Sequence, residues 1–256
     1  MLRSIKDLQS FAIRAADGDI GRVDHFLFDD RAWVLRYVVV DTGQWLPGRR
    51  VLISPRAVAA VDVETSTLVL NLTQQKIHDS PGIDAALPVS RQKEAEFHDY
   101  YGYPYYWGYV GGAGSWAAWS HPPGAVLPPM PASSSEGASR RQEGSGPDGD
   151  PHLRSSKEVI GYTLHATDGG AGHVGDFLVD DAGWGLKHLV VSTGGWIGGR
   201  DLLLPVERVT RIDWEGSQVH VNATRDDVRG SREFDRRLIG REDTDAASPD
   251  SVQHHG

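Results

Sequence analysis

The chain contains no cysteine. That excludes a disulfide scaffold, a thiolate nucleophile and a cysteine-held metal at once. Positive charge is scarce: 26 Lys and Arg stand against 35 Asp and Glu, a formal net charge of −9. A surface of that sign does not neutralise a phosphate backbone, and no basic run stands out, so nucleic acid is not an expected partner. Long apolar runs are missing too. No window approaches the roughly 20 apolar residues of a membrane-spanning helix, and the opening MLRSIKDLQSF lacks the apolar centre of a secretion signal. The expectation is a cytoplasmic protein, at most peripheral to a membrane, with no transmembrane segment. Hydrophobic residues make up 39% of the chain, low enough that part of it is expected to stay outside any packed core.

What is present is a duplication. Arg3–Asp84 lies over Arg154–Asp235 without a gap, and roughly a third of the positions are identical, which marks an internal repeat. The matches include Asp17-Gly18 with Asp168-Gly169, Gly21 with Gly172, Phe26-Leu27 with Phe177-Leu178, and Asp29-Asp30 with Asp180-Asp181. They continue through Trp33 and Trp184, Val39-Val40 and Val190-Val191, Thr42-Gly43 and Thr193-Gly194, Trp45 and Trp196, and Arg49 and Arg200. Short runs rich in Val, Ile, Leu and aromatics, separated by turn residues, predict strands. In the first copy these fall near residues 11–15, 20–28, 33–41, 51–53, 57–62 and 67–70. The second copy repeats them near 162–166, 171–179, 184–192, 202–204, 207–213 and 218–222. Many short strands favour an all-β sandwich or small barrel. Tyr37–Val40 is apolar on both pleat faces, so its strand is expected to be central. The alternation changes phase between Val23 and Phe26, which predicts a bulge. The paired aspartates read as hairpin turns rather than a cation site.

The expected organisation is a first β unit over 1–80, a short helix and aromatic segment over 81–110, a Pro/Gly-rich linker without a packed core over 111–151, a second β unit over 152–226, and a short helix with an unstructured tail over 227–256. Units of about 80 residues have marginal cores, so the two copies are expected to lean on each other as a pseudo-dimer. Helix formers over 90–101, after Ser90, predict the first helix.

DGDIGRVDHFLFDD, then a Trp followed by RYVVVDTGQW, then GRRVLISP, together resemble the PRC-barrel proteins, over both repeats. The resemblance implies a tandem of two small, mostly antiparallel β-barrels. Its namesake is the cytoplasmic domain of the photosynthetic reaction-centre H subunit, and the fold is also the C-terminal module of a ribosome maturation factor. The segment EFHDYYGYPYYWG is similar to one in bacterial proteins with two such domains. The H subunit begins with a membrane-spanning helix that this sequence does not show, and the maturation factor pairs its barrel with a different one.

Two constellations stand out as candidate interaction residues. Trp45 and Arg49, repeated as Trp196 and Arg200, combine the types enriched at interface hot spots; alternatively, Trp closes a barrel end while Arg bonds turn carbonyls. The second is the aromatic cluster containing Tyr101, Tyr103, Tyr105, Tyr106 and Trp107, which either docks a partner, folds back over an apolar groove between the barrels, or is a sticky unstructured segment. The histidines show no metal-ligand spacing, and no nucleophile motif occurs, so no catalytic residue, metal or cofactor is expected. The reading is a non-catalytic protein-binding or assembly adaptor. The alternatives are a reaction-centre-associated or membrane-peripheral assembly factor, implied by the resemblance alone, and an enzyme or small-ligand-binding protein.

Overall fold

The computed structural model describes residues 1–81, 89, 91–106, 152–194 and 199–240. Strands β1 (Leu2–Ser4), β2 (Ala12–Ala15), β3 (Gly18–Asp29), β4 (Val34–Asp41), β5 (Arg50–Ile53), β6 (Val58–Asp62) and β7 (Thr67–Leu70) come from the first repeat. Strands β8 (Leu153–Ser155), β9 (Thr163–Ala166), β10 (Gly169–Asp180), β11 (Leu186–Ser192), β12 (Asp201–Pro205), β13 (Val209–Asp213) and β14 (Gln218–Val221) repeat them. The helices are α1 (Ile5–Leu8), α2 (Gln74–His78), α3 (Arg91–Tyr101), α4 (Ser156–Val159) and α5 (Arg225–Arg229).

The strand order is β5-β4-β3-β2-β7-β6 in one sheet and β12-β11-β10-β9-β14-β13 in the other. All pairs are antiparallel except β2 with β7 and β9 with β14. The long β3 bends at the bulge expected there, between Val23 and His25. Gly21 and Gly172 make a second constraint visible. A β-carbon on Gly21 would lie 2.1 Å from the Asp41 carbonyl oxygen, and one on Gly172 would lie 2.6 Å from that of Ser192. Only glycine permits this backbone approach, in both repeats.

The two sheets are not self-contained. β1 leaves its own repeat and pairs with β10, while β8 pairs with β3. The exchange is reciprocal: Leu2 opposes Asp180, as Leu153 opposes Asp29. A division at residues 1–80 and 152–226 therefore follows the sequence repeats but not the sheets. Each exchanged strand is held by the second aspartate of a hairpin. Asp181 accepts from the N-terminal amine at 2.7 Å and from Arg3 Nε at 2.8 Å. Asp30 accepts from Arg154 Nε at 2.7 Å and lies 2.9 Å from His152 Nδ1. These carboxylates are strand clips as well as turn residues. Burial raises the Asp181 carboxyl pKa, but the amine and Arg3 outweigh it and hold it below the ordinary range.

Further along, the two junctions use different chemistry. Ser4 Oγ and the Lys6 backbone N–H both donate to the buried Asp176 carboxylate. On the other side His25 occupies the corresponding place, and the Phe26 N–H instead donates to Ser156 Oγ at 3.1 Å. Lys157 Nζ reaches Asp24 at 3.0 Å.

The hairpin ends meet across the junction. Trp33 and Trp184 adopt left-handed φ values of 52° and 57°, a conformation that costs a non-glycine residue energy unless its surroundings fix it. What fixes it is a pair of backbone bonds, Leu35 N–H to Trp184 O at 2.9 Å and Leu186 N–H to Trp33 O at 2.7 Å. Beneath them Phe28 of one repeat packs on Phe177 of the other, with ring centroids 5.3 Å apart. One continuous core, from Ile5, Ile13 and Phe26 through Phe28 to Phe177, Leu189 and Val219, runs through both sheets. The expected leaning of the copies takes the form of a strand exchange around a common core.

The expected helix over 90–101 is present as α3. The charged C-terminal stretch differs from expectation. Among its described residues only Arg225–Arg229 is α-helical, started by a Thr224 capping box, and a 3-10 turn follows at Arg236–Leu238. Between them the chain runs along the β12 edge, where the Leu203 N–H donates to Arg232 O and the Phe234 N–H to Asp201 O. Pairing with that edge competes with helix extension. The 111–151 linker and the tail beyond 240 lie outside the described residues.

Candidate functional site

Each sheet has a second apolar face, directed away from the common core. In the first barrel it consists of Leu27, Tyr37, Val39 and Leu52, joined by Leu153 from the exchanged strand. In the second, the matching positions Leu178, Val190 and Leu203 are joined by Leu2. Thus each face is completed by a residue from the other repeat.

The covers of these two faces differ. On the first, Val89 just ahead of α3, Phe97 and Tyr101 of α3, and Tyr103 in the turn after it pack down. Phe97 meets Tyr37 edge-on at 5.3 Å, and Tyr101 stacks on Tyr103 at 5.5 Å. On the second, Phe234 of the extended C-terminal segment lies against the face.

Beneath α3 lies a buried polar network. Glu94 and His98 are 0% and 1% exposed, one turn apart on the face of α3 that meets β4. Tyr37 Oη is 3.0 Å from Glu94 Oε1 and 3.0 Å from His98 Nε2. Tyr106 Oη also donates to Glu94 Oε1. His98 Nδ1 lies 2.9 Å from the Pro104 carbonyl, so it carries a proton and donates. With that proton on Nδ1, the neutral His98 ring offers Nε2 only as an acceptor, and the single Tyr37 hydroxyl proton serves one of its two contacts at a time. Burial pulls the His98 pKa down to about 4, against the opposing pull of the Pro104 carbonyl, and burial beside Glu94 raises that of Tyr37. Arg36 ties the network to the hairpin: it donates to Asp29 Oδ2 at 2.8 Å and places its guanidinium 3.9 Å from the centre of the Tyr106 ring. At the corresponding positions the second repeat has Lys187 and His188.

The aromatic residues singled out in the sequence are thus divided by the fold. Tyr101 and Tyr103 are half-buried and Tyr106 is buried, while Tyr105 is 40% exposed and donates to Asp99. They cover the outer face of the first barrel, not a groove between the two barrels. Trp107 lies outside the described residues. Trp45 is half-buried and packs against the common core. Arg49 donates from both terminal nitrogens to carbonyls, 2.8 Å to His78 O and 2.6 Å to Ser80 O, and so fastens the β4–β5 turn to the end of α2. Arg200 is exposed, with its carbonyl accepting from Thr193, and Trp196 lies outside the described residues. Arg49, bonded to the Ser80 carbonyl, lies close enough for its charge to act on Tyr101 of the aromatic segment, whereas Trp45 packs on the common core. Sequence reasoning missed Glu94 and His98, although their spacing on a helix ahead of the tyrosines was readable.

With this geometry in place, comparison with known families is decisive. The PRC-barrel domain family matches residues 2–76 and again 153–228. The chain belongs to the PRC-barrel family. The two matched segments coincide with the two repeats, so this is a tandem PRC-barrel protein whose barrels exchange their first strands. A search of curated proteins gives no match. Among the described residues no helix is long and apolar enough to cross a membrane, and no group of three or more His, Asp or Glu is placed to hold a metal ion.

Proposed function

We propose that this PRC-barrel pair is a non-catalytic protein-binding or assembly module, and that α3 with residues 103–106 gives it specificity. The supporting observation is that one apolar face, present in both repeats, carries two chemically different covers. The barrel tolerates either cover, so the helix–tyrosine cover is an addition with its own purpose. It presents Tyr105 outward, and Tyr100, half-buried, is held by Lys76; tyrosine supplies large contact area at low entropic cost. The titratable groups beneath it, Glu94 and His98, face each other through Tyr37 and fasten the helix, a structural use that speaks against an acid–base role.

The test is affinity capture from the source cells with the full chain and with a Tyr100→Ala/Tyr105→Ala variant of equal thermal stability. One or more proteins recovered reproducibly by the parent, and depleted at least fivefold with the variant, support the module. Recovery unaffected by the substitutions, or no reproducible partner, contradicts it.

A further inference from the structure

Reciprocal exchange creates two equivalent junctions, and comparing them separates what the fold requires from what it does not. Both keep the strand clip and its tryptophan: Asp30, Arg154 and Trp33 at one, Asp181, Arg3 and Trp184 at the other. The first junction opens into a cleft of about 250 Å3 between the β3–β4 hairpin, β8 and β13, lined by Arg31, Trp33, His152, Arg154 and Arg211. Trp214, 42% exposed, flanks it, with its ring 5.5 Å from the Arg154 guanidinium. At the second junction the positions of Arg31, Arg211, His152 and Trp214 are held by Ala182, Ala60, Met1 and Val63. Three positions that are small or apolar on one side, Ala182, Ala60 and Val63, are arginine or tryptophan on the other, and where His152 meets Asp30 the second junction uses the N-terminal amine of Met1 on Asp181.

We propose that this cleft binds a small anion bearing a phosphate or carboxylate group. Three arginines, Arg31, Arg154 and Arg211, line it against one acidic residue, Asp30. Asp30 takes Arg154 through Nε, which leaves the terminal nitrogens of Arg154 for a ligand. Arg211 uses one terminal nitrogen on His220 at 3.0 Å, with Asp213 3.5 Å from the same atom. Among the described residues the Arg31 guanidinium has no partner. Planar guanidinium forks match carboxylate and phosphate oxygens two at a time, and a flanking indole suits the planar part of a ligand. In a chain of net charge −9, such a local reversal of sign concentrates anions at one place. This site is separate from the helix–tyrosine cover, so either proposal can fail without the other.

The experiment uses the full chain and an Arg31→Ala/Arg211→Ala variant, which gives this junction the residues already present at its counterpart. Chemical shifts of the tryptophan indole N–H groups are followed on addition of inorganic phosphate and, separately, of succinate, at constant ionic strength. Saturable shifts with either anion in the parent, weakened at least tenfold in a variant with unchanged melting temperature, are expected. Which anion saturates at lower concentration assigns the ligand class. No saturation with either anion, or equal binding by parent and variant, overturns the proposal, as does a variant with a lowered melting temperature whose binding equals the parent's.

Discussion

Tyr37 is the residue on which the first barrel's outer face turns. It lies on β4, in the apolar run whose two-faced burial marks a central strand, and its ring packs against Phe97 while its hydroxyl meets Glu94 and His98. A buried carboxyl group that loses a hydrogen-bond partner pays its own desolvation, a cost usually larger than the bond's net worth. Tyr37→Phe keeps the ring and removes only that partner. It is expected to lower the unfolding free energy by about 1–3 kcal/mol, measured by urea denaturation, whereas Tyr103→Phe at the half-buried edge of the same cluster is expected to cost under about 0.5 kcal/mol. Equal losses from both would show that the ring contacts, not the network, hold α3. Tyr37 was legible from sequence as a core strand residue. Its polar role was not, because the second repeat has His188 there and the partners come from a helix with no second copy.

At the scale of elements, α3 is attached by groups that titrate. Burial depresses the His98 pKa to about 4 in the folded protein, while an unfolded histidine stays near 6.5. The groups around it are Glu94 on α3, Tyr37 and Arg36 on β4, Tyr106 in the following turn, and Arg56 farther off. Above pH 6.5 neither state takes up this proton, so the stability is unaffected. Between 6.5 and 4 the unfolded chain binds the proton and the folded one does not, so stability falls with pH. The total loss approaches roughly 3 kcal/mol below pH 4. Buried His25, also depressed by burial, adds a loss of the same sign. Asp29 and Asp181, whose pKa values partners hold down against burial, lose their contribution only at lower pH. His98→Gln is expected to flatten the slope of unfolding free energy against pH between 6.5 and 4 without abolishing it. An unchanged slope would place His98 outside the titrating set. The repeat alignment revealed most strands to within two residues, because turn glycines, aspartates and apolar runs recur in both copies. It did not reveal the C-terminal cover, since the charged residues 225–241 carry helix formers and the β12 edge that straightens them is remote in sequence.

At the scale of the whole molecule, the two repeats form one unit through exchanged strands and a common core. Two identical-looking units were legible; their exchange was not. β1 and β8 are three residues each, too short to show alternation, and a duplicated partner strand offers each of them two equivalent edges. The basic cleft was hidden for a similar reason, since Arg31, Arg154 and Arg211 come from three separate stretches and form no run. Even the paired aspartates, readable as turns, acquire their second task only when the other repeat's arginine arrives.

The absence of cysteine makes this exchange directly testable. Ser4 opposes Leu178 across the exchanged pair, whereas a strand returning to its own repeat would oppose the matching Leu27. Two variants, Ser4→Cys/Leu178→Cys and Ser4→Cys/Leu27→Cys, can be oxidised under native conditions and scored for intramolecular disulfide by mass and non-reducing mobility. Strand neighbours have the Cα separation that a disulfide needs, and more distant residues do not. The exchanged architecture predicts that the Leu178 variant closes efficiently in the monomer and the Leu27 variant does not. Closure of the Leu27 variant, with the Leu178 variant left reduced, would contradict it.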